Sequence, residues 1–224
     1  MTIKDFFNSK PFQLALTCID TGAAALSVIS PEAGLTSALV KGFADIASNA
    51  DAVKIDHFIK GMASGSSFNR EKFTNQLNTY VSDEDNAFYV SNLMRKAVLS
   101  DSRKVCTVMG RILADNVDSG QKFSPDDIII GNALQLASDD DLVGFLGLMR
   151  NYRKRRGDND FITFPYRDPD KQNLRLAAEW AMNGRILGRS TIARLDGGNG
   201  VMDCLVTPLA DKLMDYCEEV RQIW

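Results

Sequence analysis

DKQNLRLAAEWAMNGRILGRSTIARLDGGNGVMDCLVTPLADKLMDYCEEV, residues 170–220, decides the fold class of this chain. Asp170 to Asn183 has the apolar spacing of a helix, and Gly184 ends it. Arg185 to Leu195 reads as a strand, because Arg189, Thr191, Ala193 and Leu195 alternate with Ser190, Ile192 and Arg194. Asp196-Gly197-Gly198-Asn199-Gly200 is a tip whose residues tolerate positive φ, and Val201 to Val206 is the returning strand. Thr207 is a good N-cap and Pro208 a good first helical residue, so a last helix starts there. Leu209, Leu213, Tyr216, Cys217 and Val220 form its apolar face.

Upstream, the chain reads as helix after helix. Pro11 to Ile29 is one helix, and Pro31 opens the next. Asp51 caps a helix carrying Val53, Ile55, Phe58, Ile59 and Met62, and Gly61 to Ser67 reads as a loop. Asn69 caps a helix with Phe73, Leu77 and Tyr80. Ser82-Asp83-Glu84-Asp85 starts a helix with Phe88, Val90, Leu93, Met94 and Val98 on its apolar side. Ser102 to Val117 follows, ended by Ser119-Gly120. Ser124-Pro125-Asp126-Asp127 and Ser138-Asp139-Asp140-Asp141 are further helix starts, with helices over 124–137 and 139–155. Ile128, Ile129, Ile130, Ala133, Leu134 and Leu136 line the first, and Leu142, Val143, Phe145, Leu146, Leu148 and Met149 the second. Gly157 to Asp168 reads as a linking loop with room for a short strand at Phe161 to Phe164.

The run from Leu174 to the last helix resembles the C-terminal half of bacterial winged-helix domains. Gly184-Arg185-Ile186 stands for the family's glycine-apolar-basic element, and Val206-Thr207-Pro208-Leu209-Ala210 for its last helix start, with Ala210 where a glycine is usual. The resemblance implies a winged-helix-like module over residues about 124–220, its core completed by helices 124–137 and 139–155. The fold class expected is therefore mainly α: a multi-helical region over 1–120, then a winged-helix-like region over 121–224 with one β-hairpin. A second resemblance rests on Val53-Lys54-Ile55-Asp56-His57-Phe58-Ile59-Lys60-Gly61 between small-residue helices and a capped helical series. It is similar to abortive-infection-type helical accessory proteins of bacteria and their phages. Together these imply a non-catalytic bacterial or phage-related interaction protein with a regulatory role.

Charge locates the expected contact surface. The formal net charge is −3, but residues 150–196 carry 11 basic and 6 acidic side chains between acidic flanks. Arg150, Arg153, Lys154, Arg155 and Arg156 are the densest basic run, able to neutralise several phosphates. If the module binds DNA, the winged-helix resemblance places helix 169–183 in the major groove, with Lys171, Gln172, Asn173 and Arg175 toward bases and phosphates and Arg189 and Arg194 near the wing. Glu179 and Asp203 lie close to that face and oppose it. Two alternatives stand beside DNA. The first is a protein–protein scaffold or homo-oligomer that uses the basic segment as a salt-bridge surface. The helix macrodipole alone also favours a basic C-terminus. The second is membrane association through residues 12–40. It is disfavoured because Leu14–Ser30 is only 17 residues and contains Asp20, whereas a spanning helix needs about 20 apolar residues.

The residues give no case for an enzyme. No GxSxG, Walker or HExxH pattern occurs, and no cofactor motif is present. The lone histidine, His57, reads as a partly buried packing residue. The acidic clusters at 83–85, 126–127 and 139–141 read as helix N-termini rather than metal sites, since each follows a serine and lacks a histidine. A calcium loop begun at Asp196 would have Thr207 at its twelfth position, where glutamate is required. Cys18, Cys106, Cys204 and Cys217 form no CxxC pair and read as small buried residues of a reducing, cytoplasmic setting. No secretory signal is legible at the start.

Overall fold

The computed structural model describes residues 49–64, 70–81, 83–189 and 200–224. The readings over 1–48, including Cys18 and residues 12–40, and those over 190–199, including Arg194, lie outside the described residues. The described chain is mainly helical, with a four-stranded antiparallel sheet toward its C-terminus. Its elements are α1 (Asn49–Met62), α2 (Arg70–Tyr80), α3 (Glu84–Leu99), α4 (Arg103–Ser119), α5 (Pro125–Gln135), α6 (Asp139–Asn151), β1 (Arg153–Arg156), β2 (Asn159–Pro165), α7 (Gln172–Asn183), β3 (Leu187–Arg189), β4 (Val201–Val206) and α8 (Pro208–Val220). Short 3₁₀ turns at Pro169–Lys171 and Arg221–Ile223 precede α7 and follow α8. No described helix is long and apolar enough to cross a membrane.

The acidic clusters start helices. Ser124 and Asp127 form a reciprocal capping box on α5, and Ser138 and Asp141 form another on α6. At α3 the cap is Asp83, whose carboxylate accepts the amide of Asn86 at 3.1 Å. Gly120 closes α4 in the left-handed region with φ 65°. The glycine at 61 has another task. It belongs to α1, not to a loop, and a Cβ there would lie 1.9 Å from the carbonyl oxygen of Thr107. Gly110 on α4 meets the carbonyl oxygen of Phe58 in the same way. The two glycines let α1 and α4 cross backbone to backbone.

α4 is the axis of the core. Val105, Cys106, Val108, Met109, Ile112 and Leu113 are fully buried on it, and helices α1, α2, α3, α5, α6 and α8 all contact it. Each such aliphatic side chain contributes roughly 1.5–3 kcal/mol by leaving water. Three expected core positions differ. Phe88 is 63% exposed, Leu136 81% and Val143 48%. Leu136 is the C-cap of α5, beyond the last helical turn that sets its face.

The sheet order is β1-β2-β4-β3. One hairpin was expected; there are two further strands because α6 stops at Asn151 and the chain turns back at Gly157-Asp158. Gly157 has φ 61° and Asp158 does not share the positive sign, which is the pattern of a two-residue type II′ turn. The basic run 153–156 is thus an edge strand and not the end of a helix. In register, Arg153, Ile162, Cys204 and Arg189 form one cross-strand row, and Lys154, Phe161, Leu205 and Gly188 the next. Ile162 and Cys204 are fully buried, so the first row faces the helices and the second faces outward. Thr207 fixes the sheet to α8: its hydroxyl accepts the amide of Ala210 as N-cap and donates to the carbonyl of Ile186.

Candidate interaction surface

Strand alternation divides the basic run between the two faces of the sheet. Arg153, on the helix-facing side, donates from Nε to Asp160 of β2 at 2.7 Å and pairs with Asp211 of α8. The Asp211 carboxylate, and after it Asp160, raise the Arg153 pKa further above its ordinary value. Arg156, on the outer side, donates to Asp203 of β4 at 2.8 Å and to the Thr163 hydroxyl at 2.9 Å. Its guanidinium also lies 5.6 Å from the Phe161 ring centre. The Asp203 side chain is only 8% exposed, and Thr163 donates to it at 2.6 Å, so this carboxylate is held on both sides. Arg150, still on α6, donates from Nε to Glu218 of α8 at 2.7 Å.

Lys154 and Arg155 differ from these three. Both are exposed, and neither has a carboxylate partner among the described residues. The Arg155 Nε reaches only the Gly157 carbonyl, at 3.5 Å.

The remaining expected contact residues do not join this group into one patch. Arg189 is exposed on β3, the opposite edge of the sheet, three strand spacings or about 14 Å from β1. Lys171 lies against the Tyr152 hydroxyl, which raises its pKa. Gln172 and Asn173 are exposed at the start of α7. Arg175 turns toward Glu179, one helical turn on, with Nε to Oε1 at 3.7 Å. The exposed face of α7 also carries Leu176. Arg194 lies outside the described residues.

The signal missed in the sequence is the set of carboxylates. Asp160, Asp203, Asp211 and Glu218 come from three different elements, and only the register set by the Gly157-Asp158 turn brings them to the basic run. The other dense polar cluster is internal. Asp127, 3% exposed, accepts from Ser124 Oγ at 2.7 Å, Lys212 Nζ at 2.8 Å and the Tyr216 hydroxyl at 3.3 Å. It locks α8 onto α5. His57 is half-buried, with Nδ1 at 3.3 Å from Thr107 Oγ1, and burial lowers its pKa. A separate groove of about 220 Å³ runs between α3 and α5 beside Phe88, Tyr89, Phe123 and Ile128.

No protein-family model, curated protein or solved structure matches the chain.

Proposed function

We propose that this chain is a non-catalytic interaction module, and that its contact surface is the basic outer edge of the C-terminal sheet, taking an acidic partner protein. One observation carries the reading: all four residues of β1 are exposed cations on an outer strand of the described sheet, and two of its three arginines, Arg153 and Arg156, already bind carboxylates. The architecture read here is a winged-helix variant, with α5, α6 and α7 as its helices and β3–β4 as its wing. In this variant the extra hairpin β1–β2 extends the sheet and carries the contact residues. The exposed face of α7, where a DNA reader would hold its base contacts, offers Gln172 and Asn173 at its start, but Leu176 and an Arg175–Glu179 pair beyond them.

Nucleic acid is the second reading, and Lys154 and Arg155, which have no carboxylate partner among the described residues, favour it, since such cations suit phosphates as well as carboxylates. Fluorescence anisotropy across a salt series separates the two. The probes are a labelled glutamate-rich peptide, a random duplex and a random single strand. The variant is Lys154→Ala/Arg155→Ala, which leaves the internal ion pairs intact. The acidic-protein reading expects the peptide to bind at low salt and the double variant to lose it. Duplex or single strand binding more tightly than a peptide of equal charge would move the assignment to nucleic acid. Absence of all three at low salt would remove the basic edge as a contact surface.

A further inference from the structure

We infer that the partner segment adds to β1 as a fifth strand, an extended acidic stretch bound by main-chain hydrogen bonds as well as by charge; this rests on the reading of the basic edge as the contact surface. The phase of the ladder carries it. The amide of Thr163 donates to the carbonyl of Tyr152 at 3.0 Å, so that pair is a hydrogen-bonded one. In an antiparallel ladder such pairs alternate with non-bonded ones. With Arg153 opposite Ile162 and Lys154 opposite Phe161, the bonded pairs continue at Lys154 and Arg156. The N–H and C=O groups of Arg153 and Arg155 therefore point away from β2. They form two donor–acceptor sets, spaced as a neighbouring strand needs them.

Among the described residues no strand pairs with the outer side of β1, and all four of its residues are exposed. Charge then chooses the occupant. Lys154 projects on the outer face and Arg155 on the helix side, and both lack a carboxylate among the described residues. An added strand with acidic residues at consecutive positions places one carboxylate on each face, opposite or diagonal to each cation. A second copy of β1 would put arginine and lysine against arginine and lysine. The edge thus resists self-pairing, as basic edge strands do, while selecting an acidic strand.

The test uses the full chain and a fluorescein-labelled peptide Glu-Val-Glu-Asp-Val-Glu-Thr. Arg155→Ala removes one side chain and leaves the outward amide. Arg155→Pro removes the same side chain and that amide, but no bond to β2, because residue 155 makes none. Strand addition expects Arg155→Pro to bind about tenfold more weakly than Arg155→Ala, the effect of one lost main-chain bond. It also expects the amides of Arg153 and Arg155 to exchange more slowly with solvent when peptide is bound. A peptide N-methylated at alternate positions should lose binding with wild-type protein, which keeps the test valid if Arg155→Pro disturbs the hairpin. Equal affinities of the proline and alanine variants, with unchanged exchange and an N-methylated peptide that binds normally, would overturn strand addition and leave side-chain contact standing. A wild-type protein that binds neither the peptide nor duplex or single-stranded DNA would remove the basic-edge reading itself. Single-stranded DNA bound more tightly than the peptide, and weakened equally by both substitutions, would overturn the inference in favour of phosphate contact.

Discussion

Replacing Arg185 by glycine should stabilise this protein, while replacing the neighbouring Gly184 by alanine should destabilise it. α7 ends in a two-bond motif: the amide of Ile186 donates to Ala181 O at 2.8 Å and that of Arg185 to Met182 O at 3.2 Å. Such an ending needs one left-handed residue at the second position, where glycine is the usual occupant. Here that residue is Arg185, with φ 63°, and Gly184 has an ordinary φ of −77°. The glycine stands one position early because a Cβ at 184 would lie 2.6 Å from the Cβ of Ala133 on α5. Packing takes the glycine and the turn takes the strain. A side chain held left-handed costs roughly 1–2 kcal/mol. Arg185→Gly recovers that, less about 0.5–1 kcal/mol for the freer unfolded chain. The net gain is about 0.5–1 kcal/mol, or roughly 1–4 °C in Tm for a chain of this length. Gly184→Ala should cost about 1–3 kcal/mol through overpacking against Ala133. Urea unfolding followed by circular dichroism measures both, as shifts in midpoint at constant slope. A neutral or destabilising Arg185→Gly, or a stabilising Gly184→Ala, would refute this division of roles.

Three further outcomes are expected. Gly110→Ala should cost about 3 kcal/mol or more, since its Cβ would meet a backbone carbonyl that cannot move without separating α1 from α4; a variant unfolding at the wild-type urea midpoint would contradict the close crossing. Burial of Asp127 opposes its ionisation, but Lys212 and Ser124 outweigh this and hold its pKa below the ordinary carboxylate value. The stability it contributes is therefore present above the unfolded value near 3.9 and lost as pH falls through the folded value, so the deficit of Asp127→Asn, about 1–2 kcal/mol at pH 7, should shrink on acidification; a constant gap from pH 7 to pH 3 would disprove the linkage. Burial raises the thiol pKa of Cys106 to about 12, that of Cys204 to about 11 and that of Cys217 also, so these three should resist an aromatic disulfide reagent at pH 8 until urea unfolds the chain; fast labelling of any of them in the native protein would contradict their burial.

Helix starts were legible because their chemistry is local. Ser124 and Asp127, or Ser138 and Asp141, satisfy each other within four residues, and any sequence carrying them announces the cap. Gly61 reads as a loop residue in the sequence because its reason lies 46 positions away, at the carbonyl of Thr107. Gly184 was placed correctly as the end of α7, but its cause is Ala133 and not its own backbone. The basic run was legible as composition, whereas its geometry was not. Nothing near Arg156 in sequence points to Asp203, and the pairing exists only once β2 has entered the sheet between β1 and β4.

Why the chain leaves the helix at Asn151 follows from the same charges that gave the opposite expectation. A basic C-terminus is favoured by the macrodipole by about 0.3–1 kcal/mol, which argues for continuing α6 through residue 155. Continuing it would also stack Arg150 with Arg153 and Lys154 at spacings of three and four, each like-charge pair costing about 0.2–0.5 kcal/mol, and would offset most of that gain. As a strand, the run separates its cations onto two faces. Arg153 then reaches Asp160 and Asp211, and Arg156 reaches an Asp203 that is nearly buried. A surface ion pair adds up to about 1 kcal/mol, and the pair at Asp203 more, because leaving that carboxylate alone would be costly. Tyr152, the last residue before the strand, packs its ring 6.0 Å from Phe164 and adds an apolar reason to turn there. The ion pairs fasten the hairpin to β4 and α8 and use up Arg153 and Arg156 in doing so. They also leave Lys154 and Arg155 without a carboxylate partner among the described residues and the outward amides of Arg153 and Arg155 in line. A flexible basic tail would offer charge without direction; this strand offers both.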